Sequence, residues 1–85
     1  MCTDTYNYAG GAYQAKITVD YGGSSTTPVT AYFYNPNGSN NCYFTVRPID
    51  GPRAFYCNFT AFGTYTARAP LYGNTSPVSI SISRS

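Results

Sequence analysis

The chain contains no histidine, no glutamate and no tryptophan, and its only acidic residues are Asp4, Asp20 and Asp50. General acid–base catalysis needs a positioned His, Glu, Asp, Lys or similar group. The three aspartates fall in separate segments, and Asp50 is accounted for by a turn. A cysteine nucleophile would lack its usual histidine base. Zinc would have to rely on three cysteines and an aspartate without the short ligand spacings of such sites. Asp20 has no acidic loop repeat beside it to build a calcium site, and no glycine-rich phosphate loop is present. The expectation is a protein that is not an enzyme, with no cofactor and no metal.

Charge is scarce too, at 9% of residues against an average near about 25%. Ser, Thr, Asn and Gly supply the polarity instead, a balance common in secreted, cell-surface and virion proteins. An extracellular or surface-exposed location is expected. The net charge of +2 comes from Lys16, Arg47, Arg53, Arg68 and Arg84, which form no run. A phosphate backbone demands clustered cations, so nucleic acid is not expected as a partner. No apolar run approaches the roughly 18 residues that span a bilayer. The first residues show no signal-peptide pattern; Met1-Cys2-Thr3 reads as a genuine start or as an initiator placed before a mature sequence.

What the chain does have is aromatic alternation: ten tyrosines and five phenylalanines in 85 residues, a length that predicts a single domain with a thin core. In Ala12–Tyr21, residues Tyr13, Ala15, Ile17, Val19 and Tyr21 share one face, while Gln14, Lys16, Thr18 and Asp20 share the other. Pro28–Tyr34 sets Val29, Ala31 and Phe33 against Thr30, Tyr32 and Tyr34. The run Asn35-Pro-Asn-Gly-Ser-Asn-Asn41 is a loop. Further strands are read at Cys42–Arg47, Arg53–Thr60, Thr64–Ala69 and Val78–Ser83, and a weaker one at Thr3–Tyr8. The last two read as a closing hairpin. No helical period persists, and Pro and Gly interrupt every candidate. Seven short strands at this spacing predict an all-β sandwich.

With three cysteines, any pairing within the chain leaves one over. If Pro48-Ile49-Asp50-Gly51 is a four-residue hairpin loop, facing residues place Cys42 opposite Cys57, within reach of a cross-strand disulfide. The same register pairs Phe44 with Phe55 on one face and Tyr43 with Tyr56 on the other. A two-residue Asp50-Gly51 loop would shift the register and separate the cysteines; the alternative to a bridge is that Cys42 and Cys57 are small, buried and reduced. Cys2 is the odd one: free, paired between chains, acylated, or an inert terminal thiol.

The segment Gly63-Thr-Tyr-Thr-Ala67, followed by Ser76-Pro-Val-Ser-Ile-Ser-Ile82, resembles the last two strands of immunoglobulin-like and fibronectin type III-like domains. The resemblance implies that Tyr65 is the tyrosine corner, whose hydroxyl bonds back to the chain. It assigns the seven strands in order as A to G. Ala67 stands where the inter-sheet cysteine would be and strand C has no Trp, so an antibody-type domain is not implied and the proposed disulfide lies within one sheet.

Tyrosine offers large, rigid, amphipathic contact area at low entropic cost. If phenylalanine marks the core side, Tyr32, Tyr34, Tyr43 and Tyr56 point outward as a candidate contact surface, though tyrosines also decorate ordinary sheets. Tyr6 and Tyr8 lie in a terminal segment that could add as a strand to a neighbour's sheet edge. Asn37-Gly-Ser39, Asn58-Phe-Thr60 and Asn74-Thr-Ser76 fit the N-glycosylation pattern. The sequence therefore points to a non-catalytic structural or interaction module with a protein partner, either itself or another surface, such as a subunit of a surface filament or virion appendage. The second reading is a small secreted binding protein, a carbohydrate-binding module or an enzyme inhibitor, in contact through Arg53-Ala-Phe-Tyr56 or the Asn35–Asn41 loop.

Overall fold

Alternation decides which side of each strand is buried, and in the computed structural model it produces two antiparallel sheets with one core between them. Residues 2–11, 14–70 and 79–84 are described; Ala12, Tyr13, Val78 and the Asn74 glycosylation pattern lie outside them. The strands are β1 (Cys2–Tyr8), β2 (Gln14–Asp20), β3 (Val29–Tyr34), β4 (Asn40–Val46), β5 (Arg53–Asn58), β6 (Gly63–Ala69) and β7 (Ser79–Arg84). The first sheet runs β1-β6-β3-β4 and the second β5-β2-β7. The molecule is an all-β sandwich. No helix among the described residues is long and apolar enough to cross a membrane.

The core is the inward parity of every strand. Ala15, Ile17 and Val19 from β2, Ala31 and Phe33 from β3, and Tyr65, Ala67 and Ala69 from β6 are fully buried. Each large apolar side chain placed there contributes roughly 1.5–3 kcal/mol. The largest fully buried side chains are Tyr21, Tyr65 and Phe33.

Connectivity departs from the expected hairpins. β3 and β4 are the only consecutive strands that are hydrogen-bonded neighbours among those described; the other connections pass to the opposite sheet. β6 and β7 are not a closing hairpin: β6 pairs with β1 and β3, and β7 pairs with β2. Alternation is satisfied equally by a hairpin and by a crossover, because both bury the same parity.

β4 and β5 are not a hairpin either, and the disulfide between Cys42 and Cys57 joins the two sheets instead of lying within one. The intervening Pro48–Asp50 forms a turn of 3-10 helix, with Asp50 N–H donating to Arg47 O at 3.0 Å and Gly51 N–H to Pro48 O at 3.1 Å. Ile49 N–H donates to Ser25 O at 2.9 Å, tying this turn to the β2–β3 loop. Gly51, at φ 72°, then turns the chain into the second sheet, a conformation that glycine adopts without steric penalty. The cysteine Cα atoms are 6.4 Å apart, closer than the ~10 Å between packed sheets, because β4 and β5 are edge strands that converge along one side of the sandwich. Phe44 and Phe55 stack there with centroids 3.5 Å apart.

On the opposite side a carboxylate links the two sheets. Asp4, on the inward parity of β1, accepts a hydrogen bond at 2.8 Å from the backbone N–H of Ile82 on β7. An edge strand presents unpaired N–H groups that recruit other chains unless something covers them. Asp4→Ala is expected to lower stability by about 1–2 kcal/mol, within the range for a hydrogen bond to a charged group. Urea denaturation reads this directly, and an unchanged midpoint would mean that water replaces the carboxylate.

Candidate functional site

Two surfaces combine exposed aromatic or polar side chains in a defined arrangement. The first is the outer face of the four-stranded sheet. Register places Thr3, Arg68, Tyr32 and Tyr43 in one row across β1, β6, β3 and β4. A second row holds Thr5, Thr66 and Tyr34. Tyr32 lies 6.1 Å from Tyr34 and 6.4 Å from Tyr43 between ring centroids. The Arg68 guanidinium sits 5.8 Å from the Tyr34 centroid, within the reach of a cation–π contact. Tyr43 is 67% exposed. A shallow hollow of about 320 Å³ adjoins the rows between Tyr34, Pro36, Thr66 and Arg68.

Tyr56 does not belong to this surface. Facing positions on two strands of one hairpin would share a side, but β4 and β5 belong to opposite sheets, so Tyr43 and Tyr56 emerge on opposite outer faces. The outer face of the second sheet is otherwise plain: Ser79, Ser81 and Ser83 on β7, Lys16 and Thr18 on β2. Arg53 stands at the start of β5, 4.0 Å from Asp50. Arg47 donates two hydrogen bonds to Asp50, at 2.9 and 3.0 Å, and these hold the Asp50 carboxyl below its ordinary value. A depressed carboxylate stabilises the fold above the ordinary aspartate value of 3.8 and loses that contribution as pH falls through the depressed value. Because the pair is exposed, the effect is small: the thermal midpoints of wild type and Asp50→Asn should differ slightly at neutral pH and converge in acid.

Tyr6 and Tyr8 face into the sandwich. Tyr8 is buried and stacks on Phe59 at 4.1 Å, with Tyr6 5.5 Å from the same ring. The Tyr8 hydroxyl donates to Gly11 O. β1 is paired along its whole length with β6, so this segment is docked in its own sheet.

The second surface is a groove of about 510 Å³ between the sheets, bordered by the Cys42–Cys57 bridge. It is lined by amides: Gln14 on β2, Asn35 after β3, Asn40 and Asn41 on β4, and Asn58 on β5, with Tyr56 and Thr60 beside them. Asn41 Nδ2 donates to Asn35 Oδ1 and to Asn58 O, both at 2.8 Å. Gln14 Nε2 donates to Asn58 Oδ1 at 3.0 Å. Thr60 Oγ1 donates to Asn35 Oδ1 at 3.1 Å. The network continues into the buried Tyr65 hydroxyl, which accepts from Thr60 N–H at 2.8 Å and Ala61 N–H at 2.9 Å and donates to Ala61 O at 2.8 Å. That is the bond pattern of a tyrosine corner.

No protein-family model, curated protein or solved structure matches this chain.

The structure thus brings Tyr32, Tyr34 and Tyr43 together, adds Arg68 to them, and sets Tyr56 and Arg53 apart. Arg68 was missed because its neighbours come from β3, more than thirty residues away in sequence, and no local pattern announces that pairing. The amide groove was missed for the same reason, although two of its parts, Tyr56 and the Asn35–Asn41 loop, were singled out separately. Among the described residues no three His, Cys, Asp or Glu side chains cluster as a metal site.

Proposed function

We propose that this protein is a non-catalytic structural or interaction module of an extracellular or surface-exposed assembly, and that it docks on another protein surface through the outer face of its four-stranded sheet. The observation that carries this reading is the asymmetry between the two outer faces. Strand propensity alone would scatter tyrosines over both. Instead Tyr32, Tyr34, Tyr43 and Arg68 share one face, while among the described residues the other carries one tyrosine, Tyr56, beside Lys16, Thr18, Ser79, Ser81 and Ser83. Tyr and Arg are the residues that dominate binding energy at protein interfaces. Scarce charge offers little repulsion between copies, so a second copy of the chain is the partner to test first. The disulfide and the low charge favour an oxidising location.

Within this reading the sandwich is immunoglobulin-like in its interior. β2 beside β5 and β3 beside β6 correspond to the B–E and C–F neighbours of that family, and Tyr65 takes the corner position. The first and last strands exchange places: β1 stands beside β6 and β7 beside β2, where the family sets G beside F and A beside B.

Sedimentation equilibrium tests the proposal. Wild-type mass is expected to rise with concentration. The Tyr32→Ser/Tyr43→Ser variant should weaken association about 100-fold, since truncating each central aromatic costs about 1–2 kcal/mol. Tyr56→Ser, on the opposite face, should leave association unchanged. A wild type that stays monomeric at every concentration would overturn self-docking.

A further inference from the structure

The groove beside the disulfide belongs to neither the core nor the tyrosine face, and its chemistry is of one kind. Among the described residues no charged side chain lines it. That composition disfavours phosphate, acidic peptides and cationic ligands, each of which needs an opposite charge to offset its desolvation. Its volume, about 510 Å³, falls within the roughly 300–1,000 Å³ typical of small-molecule sites.

The amides are held half-satisfied. Gln14 uses Nε2 on Asn58 Oδ1, which leaves Gln14 Oε1 as an acceptor and Asn58 Nδ2 as a donor, without another side-chain partner among the described residues. Asn41 uses Nδ2 on Asn35 and on the Asn58 carbonyl, leaving its Oδ1 as an acceptor. The Asn40 amide has neither end engaged among the described residues. Free donors and acceptors therefore both occur among the residues lining one groove. A hydroxyl both donates and accepts, so neighbouring hydroxyls on a ring match such a surface better than a ligand that only donates or only accepts. Tyr56, 55% exposed, borders the groove and supplies an aromatic face for the C–H side of a sugar ring. The internal hydrogen bonds hold Gln14, Asn41 and Asn58 before any ligand arrives, which reduces the ordering that binding requires of these three.

We propose that this groove is a binding site for a neutral saccharide, with Gln14, Asn40, Asn41 and Asn58 contacting its hydroxyls and Tyr56 stacking on its ring. The proposal does not rest on the self-docking assigned to the tyrosine face, which lies on a different surface. The test is a titration of the 15N-labelled, oxidised protein with cellohexaose, maltohexaose, mannohexaose and chitohexaose, followed by amide resonances. At least one of these probes should produce saturable shifts that include the Gln14, Asn40 and Asn58 side-chain amides and the Tyr56 backbone. Tyr56→Ala should weaken that binding by about tenfold, the weight of one aromatic stacking contact. Gln14→Ala should weaken it too, while Tyr43→Ser leaves it unchanged. Wild-type spectra that do not move with any of the four probes would overturn the proposal. So would shifts confined to Tyr32, Tyr43 and Arg68, which would place the saccharide on the other surface. Tighter binding of a sulfated oligosaccharide than of the neutral ones would also overturn it.

Discussion

Replacing Cys42 and Cys57 together by alanine should lower stability by about 3 kcal/mol, the loop-closure value for a bridge across about 15 residues, which is its sequence separation here. For a domain of this length that corresponds to a fall of roughly 12–24 °C in the thermal midpoint. The effect should extend beyond the denatured chain, because β4 and β5 share no ladder hydrogen bonds. The bridge, the Phe44–Phe55 stack and the Asn41 bond to the Asn58 carbonyl are what join those edges. Thermal unfolding with and without reductant, on wild type and the double variant, measures it. Reductant should lower the wild-type midpoint and leave the variant unmoved. A wild-type midpoint insensitive to reductant and equal to the variant's would show that the bridge does not constrain the fold.

Tyr65→Phe should cost about 3 kcal/mol, from three hydrogen bonds at about 1 kcal/mol each. The substitution is clean, since Phe keeps the ring that stacks on Phe33 at 5.3 Å and contacts Phe59 edge-on at 5.0 Å. Only the hydroxyl is lost, and with it the partner of Thr60 N–H, Ala61 N–H and Ala61 O. Because Thr60 also bonds to Asn35, the loss should loosen the amide groove as well as the corner. Urea denaturation gives the free energy. A loss below about 1 kcal/mol would mean that water satisfies the corner as well as the tyrosine does.

Much of the burial pattern was legible in the sequence. The parity of Ala15, Ile17 and Val19, of Ala31 and Phe33, and of Ile80 and Ile82 is the buried parity. Alternation reports burial, and a strand buries one side whichever sheet it joins. The pairing of Cys42 with Cys57 and of Phe44 with Phe55 was also readable, because facing positions are set by turn position and strand parity. The kind of facing was not. A hairpin across Pro48–Gly51 and two edges meeting across a sandwich give the same pairs, and they differ only in where the outward residues go. That single ambiguity carried Tyr43 and Tyr56 to opposite faces and changed an intra-sheet disulfide into an inter-sheet one. The neighbours of Arg68 and the amide groove depend on contacts between distant segments, so no local window could reveal them.

Docking through the Thr3-Arg68-Tyr32-Tyr43 face is tested by amide chemical shifts followed over a concentration series of the wild type. Concentration-dependent shifts are expected to cluster on Arg68, Tyr32, Tyr34 and Tyr43, with Ser79, Ser81 and Ser83 unmoved. Shifts clustered on the serine face, or none at any concentration, would contradict it.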